Sequence, residues 1–405
     1  MPWKESKALD ERKRFIAEWE KDEEDFSELC RRYGVSRPTG YAWVQRYQAE
    51  GEAGLEARSR APHHCPQALS EEVAAAILML RRQHPRWGPR KLRAYLQARQ
   101  PQRSWPAVSS IGALLSREGL AHRRRPRRRT PAYSEPLAHA QAPNQVWGAD
   151  YKGWFYCGDG QRCDPLTISD AFSRYLLRCR AVPKTDGVEA KAVFEAAFRE
   201  YGLPEAIRTD NGPPFASKAP AGLSRLSMWW MRLGIRHERI APGCPEQNGR
   251  HERMHQTLKQ ETASPPQGNL RQQQQAFQRF EREYNQERPH EALDYRTPAS
   301  LYVASAHLYP ARLPDLEYPP GALLRRISQQ GSVKWKGGRA FVSEVLARES
   351  VGLLEVEEDF LEVYYGPLLL GWLDGSGPQP VFAADPGRRS RRRRRETASP
   401  PGERS

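Results

Sequence analysis

The sequence predicts a multidomain protein with N-terminal all-α helix-turn-helix units, a central α/β domain on a mixed sheet, and a small C-terminal β-barrel. Three observations predict it. Apolar side chains recur at helical spacing through the first 122 residues, broken by turn and cap signals. From Asn144 short β-like runs alternate with helices. Beyond Tyr318 half a dozen short strands, with glycines between them, crowd into about fifty residues.

Residues 11–50 read as three short helices. Phe15, Ile16 and Trp19 stripe the first, and Phe26, Leu29 and Cys30 stripe the second, which stops at Tyr33-Gly34. Ser36 caps the third, with Pro38 tolerated in its first turn. Helix, glycine turn and capped helix form the helix-turn-helix pattern, whose last member enters the DNA major groove. Arg37 and Thr39 would then lie nearest the bases. An ordinary helical hairpin is the plainer alternative, and the charge balance favours DNA.

After the linker Ala61 to Pro66, Ser70-Glu71-Glu72 opens a helix striped by Val73, Ile77 and Leu80. Pro85 ends it, Arg86 to Lys91 opens another, and Val108, Ile111, Leu114 and Leu115 mark a third. Arg123, Arg124, Arg125, Arg127, Arg128 and Arg129 follow, broken by Pro126. Such a run is either a solvated linker or a phosphate-contacting one, and its place between two DNA-contacting parts makes these six arginines candidate DNA ligands. Segments 145–151, 163–169 and 175–182 then read as a strand meander, 187–201 as a helix, and 205–209 as a strand leading into Asp210. A helix at 224–233, a strand at 235–240, a helix at 247–261 and one more striped by Leu270, Phe277, Phe280 and Tyr284 complete the α/β part.

The expected divisions are 1–60 and 67–122 for the two helical units, 123–143 for a basic linker and 144–305 for the α/β core. The small barrel takes 318–385, and 386–405 is an Arg-rich tail without the apolar content to order itself.

A net charge of +15 points to a polyanionic partner. The tail from Pro386 carries eight Arg and two Glu, so about +9 remains on the body. Six scattered cysteines without a CxxC pair fit a reducing, cytoplasmic setting. His63-His64-Cys65 has no second ligand pair at finger spacing, which argues against zinc. The charged N-terminus lacks a signal-peptide core, and the apolar run 368–373 is too short for a bilayer, so no membrane role is expected.

Three acids sit in contexts that suit metal-binding carboxylates: Asp150 at the end of the first strand, Asp210 before Asn211-Gly212, and Glu252 in the helix that follows Pro245. Carboxylates gathered from separate elements suit two Mg²⁺ ions acting on a phosphodiester. Thirty-five residues separate Asp210 from Glu246 and forty-one separate it from Glu252. Glu252 is preferred because it lies inside the helix and shares a face with His255, Gln256 and Lys259.

These motifs, in order, resemble the catalytic core of bacterial insertion-sequence transposases of the retroviral-integrase-like DDE superfamily. The resemblance spans 144–301 and rests on several pieces. They are Trp147 and Asp150; Asp170-Ala-Phe-Ser173-Arg174; Asp210-Asn211-Gly212; Pro245-x-x-x-Gly249-x-x-Glu252 with Lys259; Tyr284-Asn285-x-x-Arg288-Pro289-His290-x-x-Leu293; and Thr297-Pro298. It implies an RNase H-like fold and a Mg²⁺-dependent polynucleotidyl transferase using two ions, for which Mn²⁺ would substitute. Asp150 would bridge both ions, with Asp210 holding one and Glu252 the other. Lys259 would touch phosphate near the cut, and the helix-turn-helix units would bind the terminal repeats of a mobile element. The implied partners are double-stranded element ends and target DNA, with a homo-oligomer holding the ends. Two other readings stay open: a regulator derived from a transposase that no longer cuts, and a nuclease that does not join strands.

Overall fold

The computed structural model describes residues 8–57, 69–121, 140–241 and 249–385. It divides into two compact units, residues 1–70 and 71–405. In the first, α1 (Ala8–Trp19), α2 (Phe26–Arg32) and α3 (Arg37–Glu50) close around Phe15, Ile16, Leu29, Cys30, Val44 and Leu55. Asp25 caps α2 by accepting the Ser27 N–H, and Ser36 caps α3 by accepting the Thr39 N–H. Several features singled out in the sequence lie outside the described residues: the His63-His64-Cys65 run, Glu246 and the Arg-rich tail. The same holds for all six arginines of the basic linker, Arg123, Arg124, Arg125, Arg127, Arg128 and Arg129.

The second unit opens with α4 (Glu71–Gln83), α5 (Pro89–Arg99) and α6 (Val108–Arg117). Arg81 is buried and donates to the carbonyls of Trp87 and Leu120, tying α4 to both ends of the bundle. The bundle meets the α/β domain through polar contacts, His84 with Glu283 at 3.0 Å and Arg86 with Gln260 at 2.8 Å.

The central sheet contains β1 (Val146–Tyr151), β2 (Phe155–Tyr156), β3 (Arg162–Asp170), β4 (Leu176–Val182), β5 (Ala206–Thr209) and β6 (Arg236–Arg239). Its order is β2-β3-β1-β5-β6, with β4 on β3; β5 runs parallel to β1 and β6, and the other pairs are antiparallel. The sheet is therefore mixed. Side chains alternate across it. Trp147, Ala149, Leu166 and Ile168 pack on α7 (Gly187–Tyr201) and α8 (Arg225–Arg232). Cys163, Leu176 and Cys179 pack on the other face, against Met254 and Leu258 of α9 (Gly249–Thr262) and Phe277, Phe280 and Tyr284 of α10 (Leu270–Gln286). Gly148 and Asp150 alternate with Trp147 and Ala149, so they point toward α9.

The C-terminal part departs from the expected barrel. Strands β7 (Leu323–Arg326), β10 (Ser350–Glu357), β11 (Phe360–Tyr365), β12 (Leu368–Asp374) and β13 (Val381–Ala383) form an open antiparallel sheet, and β8 (Ser332–Trp335) pairs with β9 (Gly338–Phe341) as a separate hairpin. No hydrogen-bonded ladder closes the ring among the described residues. The apolar pattern required a closed core, and the hairpin satisfies that by packing Val333, Trp335 and Ala340 against Leu353, Leu361 and Val363. Leu223 and Met228, from the segment leading into α8 and from α8 itself, join the same core, and Arg232 pairs with Glu349 at 2.7 Å.

Candidate active site

Asp150 lies on β1, second from its end, and Asp210 directly follows β5. The parallel register pairs Trp147 with Ile207 and Gly148 with Arg208. Continued by two residues, that register would set Asp150 beside Asp210, at the spacing of neighbouring strands, about 5 Å. Asp210 Oδ1 accepts the Gly212 N–H at 3.2 Å, which turns the chain sharply away from the sheet.

Two histidines fix α9 over β1. His251 is buried, and its ring occupies the space a side chain on Gly148 would need: a Cβ there would lie 2.5 Å from Cε1. One turn on, His255 Nε2 lies 2.7 Å from Thr167 Oγ1, and that hydroxyl donates to the Asp150 carbonyl at 3.1 Å. The hydroxyl proton is thereby committed, so Nε2 is the donor to Thr167. Burial pushes the His255 pKa down to about 2, with His251 and Lys152 adding to the effect. The ring is neutral, and its bare Nδ1 faces Asp150 Oδ2 at 3.8 Å. His255 therefore shields Asp150 without neutralising it. The sequence carried no sign of this beyond the i, i+4 spacing of His251 and His255.

Glu252 sits in the first turn of α9, exposed, with no hydrogen bond or ion pair to any described residue. Lys259 is exposed two turns further along. Lys152, not singled out in the sequence, is half-buried; burial lowers its pKa, Lys259 adds to that, and Asp150 opposes it. Two ammonium groups thus lie within electrostatic reach of one another beside Asp150.

The donor set is of the right chemistry for a hard divalent cation: carboxylate oxygens at adjacent strand ends, with an unengaged glutamate on the helix above them. The expected convergence of all three is not met. Among the described residues no three His, Cys, Asp or Glu side chains stand close enough to hold one ion. Carboxylates repel each other unless a cation lies between them, and nothing in α9 pulls Glu252 inward.

The other motif residues support this arrangement from below. Asp170 is buried and accepts hydrogen bonds from the Asn144 and Ser173 N–H groups and the Ser173 hydroxyl. Asn144 in turn receives the Trp147 indole N–H and the Tyr302 hydroxyl on its Oδ1. This network anchors the start of β1, so Asp170 is structural.

Of the expected DNA ligands away from the carboxylates, Arg37 and Thr39 are exposed in the first turn of α3. Arg123, Arg124, Arg125, Arg127, Arg128 and Arg129 fall between the described segments 69–121 and 140–241, so their expected phosphate contacts rest on sequence alone.

Family models agree with this architecture. A helix-turn-helix domain model matches residues 11–63 and a homeodomain-like one 39–115; integrase core domain models match 140–245 and 233–298. An uncharacterized 31.7 kDa protein of insertion element IS407 from Burkholderia multivorans is 29% identical over 238 residues, 58% of this chain and 82% of its own length. An uncharacterized 39.2 kDa protein of insertion element IS476 from Xanthomonas euvesicatoria is 26% identical over 241 residues, 59% of this chain and 67% of its own. Among solved structures, the HTLV-2 integrase catalytic core domain in complex with magnesium covers 40% of this chain and 98% of its own, at 20% identity and a TM-score of 0.32.

Helix-turn-helix modules ahead of an integrase core support, in general terms, a polynucleotidyl transferase that acts on DNA. In this domain order the chain is similar to the proteins of insertion elements IS407 and IS476. None of its described helices is long and apolar enough to cross a membrane.

Proposed function

We propose that this protein binds the ends of a DNA mobile element, nicks them and joins them to target DNA. The observation that supports the reading is the parallel β1–β5 register, which pairs Trp147 with Ile207 and Gly148 with Arg208 and so runs both strands toward Asp150 and Asp210. Asp150, Asp210 and Glu252 would hold two Mg²⁺ ions, or Mn²⁺ in their place. The ions, when bound, supply Lewis-acid activation of a water or 3′-hydroxyl and stabilise charge on the leaving oxygen.

The remaining work falls to the chain. Lys259 and Lys152 contact the backbone phosphates flanking the cut and keep the strand over the carboxylates. His255 keeps solvent from the inner side of Asp150 while leaving its charge intact. The helix-turn-helix units provide end recognition, with affinity drawn largely from phosphates and register from the grooves. The arginines at 123–125 and 127–129 add phosphate contacts between those units and the core, a role supported by their charge and their place in the chain. Phosphoryl transfer by direct in-line displacement requires no Ser or Tyr nucleophile. The working form is a homo-oligomer that holds two ends together.

The test is strand cutting and joining on labelled duplexes taken from the DNA flanking the coding sequence, with Mg²⁺. Asp150→Asn, Asp210→Asn and Glu252→Gln each remove both activities while end binding persists. A wild-type protein that binds and never cuts supports the regulator reading instead. One that cuts without joining supports the nuclease, and variants as active as wild type sink the site.

A further inference from the structure

We infer that the outer ridge of α3 reads an A·T-bearing segment of the major groove, with Gln45 addressing an adenine and Ala42 a neighbouring thymine methyl. This rests on the end-binding role proposed above and goes to the identity of the bases.

The ridge is set by how α3 is buried. Gly40 and Val44 face the core, and a Cβ on Gly40 would come within 2.8 Å of Cys30 Sγ, 3.0 Å of Phe26 and 3.1 Å of Phe15. That close approach fixes the helix rotation. Pro38, Ala42, Gln45 and Ala49, spaced i, i+4, i+7 and i+11, then form the stripe opposite, and all four are exposed. Three of the four are small and uncharged, so the helix backbone can sit deep in the groove. Gln45 alone on that stripe has a hydrogen-bonding side chain.

Three of the flanking side chains are otherwise engaged. The Thr39 hydroxyl lies 2.8 Å from Ser36 Oγ, within the cap, and is withdrawn from base reading. Arg46 donates to the Glu56 carbonyl at 2.8 Å. The Tyr41 ring stacks on Phe26 with centroids 4.3 Å apart. Charge along the chain suits a polyanion near α3: residues 29–49 hold four arginines, of which Arg32 is ion-paired with Glu18 and Glu24, and no carboxylate, whereas residues 8–28 hold nine carboxylates. A glutamine amide matches adenine N6 and N7 in a bidentate pair, and an alanine methyl fits against the thymine C5-methyl.

The full chain is tested by selecting bound duplexes from a randomised pool, then measuring affinity on the selected duplex. Wild type is expected to enrich a motif with an invariant A·T pair. Gln45→Ala loses discrimination at that pair by roughly tenfold or more while the other positions hold. Gln45→Arg moves the preference there toward G·C. Replacing one thymine by uracil weakens wild type several-fold and leaves Ala42→Gly unaffected. All these positions are exposed, and circular dichroism verifies that the variants fold. An unchanged motif and affinity in both Gln45 variants overturns the assignment, as does a wild-type chain that selects no motif. Strand joining that depends on Asp150, measured on the same preparations, reports separately on the transposase reading.

Discussion

Asn285 takes the place of a missing strand at Leu176: its Oδ1 accepts the Leu176 N–H at 2.8 Å and its Nδ2 donates to the Leu176 carbonyl at 2.9 Å. Gln274 does the same further along β4, accepting from Ala181 N–H and donating to the Cys179 carbonyl, and Glu281 accepts the Cys179 N–H between them. Side chains of α10 thus satisfy the free edge of the sheet. Asn285→Ala strands two buried backbone groups and should cost about 2–4 kcal/mol, read as a lower urea midpoint with an unchanged slope.

Glu281 makes that edge sensitive to pH. Burial raises its pKa from 4.5 to about 7, against the pull of Arg178 and Arg180, with Glu200 adding to the rise. A carboxyl whose folded value is raised binds its proton more tightly in the folded chain. Its stabilisation is complete below about pH 4.5 and is lost as pH climbs toward 7. Glu281→Gln should flatten that decline, gaining on the order of 2 kcal/mol over wild type at pH 8. A wild-type melting temperature that does not fall between pH 5 and 8 goes against this account.

Gly148 tests the seating of α9. Gly148→Ala drives a methyl into the His251 ring and should lift the start of α9 from β1, costing about 1–3 kcal/mol and most of the strand cutting. Gly148→Ala with His251→Ala should recover activity that neither change alone retains. Parallel measurement of melting temperature and strand cutting checks it.

Lys259 and Lys152 act through phosphate in the proposed mechanism. Each substitution by alanine should weaken DNA binding about equally on all sequences and lower the salt dependence of binding by about one unit in slope. Titrations across a range of KCl concentrations measure it; an unchanged slope assigns the lysine to solvent.

Glu252→Gln and Glu246→Gln separate the two candidate glutamates. Cutting should vanish in the first and persist in the second at close to the wild-type rate. The reverse pattern in a gel-based cleavage assay moves the third ligand to Glu246.

Much of this was legible in sequence wherever periodicity was long enough to count. The helix at 187–201 and the strands around Asp150, Cys163 and Leu176 lie where alternation and capping placed them. The two-residue β2 and the three-residue β13 have no period to detect. The open C-terminal sheet was missed because a core shared by a sheet and a hairpin has the same apolar pattern as a closed barrel. Only the apolar stripe of α10 was legible, yet Gln273 is fully buried, accepting the Gln267 N–H and donating to the Thr262 carbonyl. The roles of Gln274 and Asn285 depend on β4, far away in sequence. In the site, the acids stood out by local context. His255 and Lys152 did not, because what they do is visible only once α9 lies on β1.

Because Leu223 and Met228 are sealed beneath the C-terminal strands, the segment beyond residue 318 is not an appendage that can be trimmed away. A shortened chain ending near residue 318 would present α8 with bare apolar side chains and an orphaned Arg232. Activity lost on such truncation would then report a damaged scaffold as readily as a missing DNA contact, and point substitutions are the cleaner way to dissect this part of the molecule.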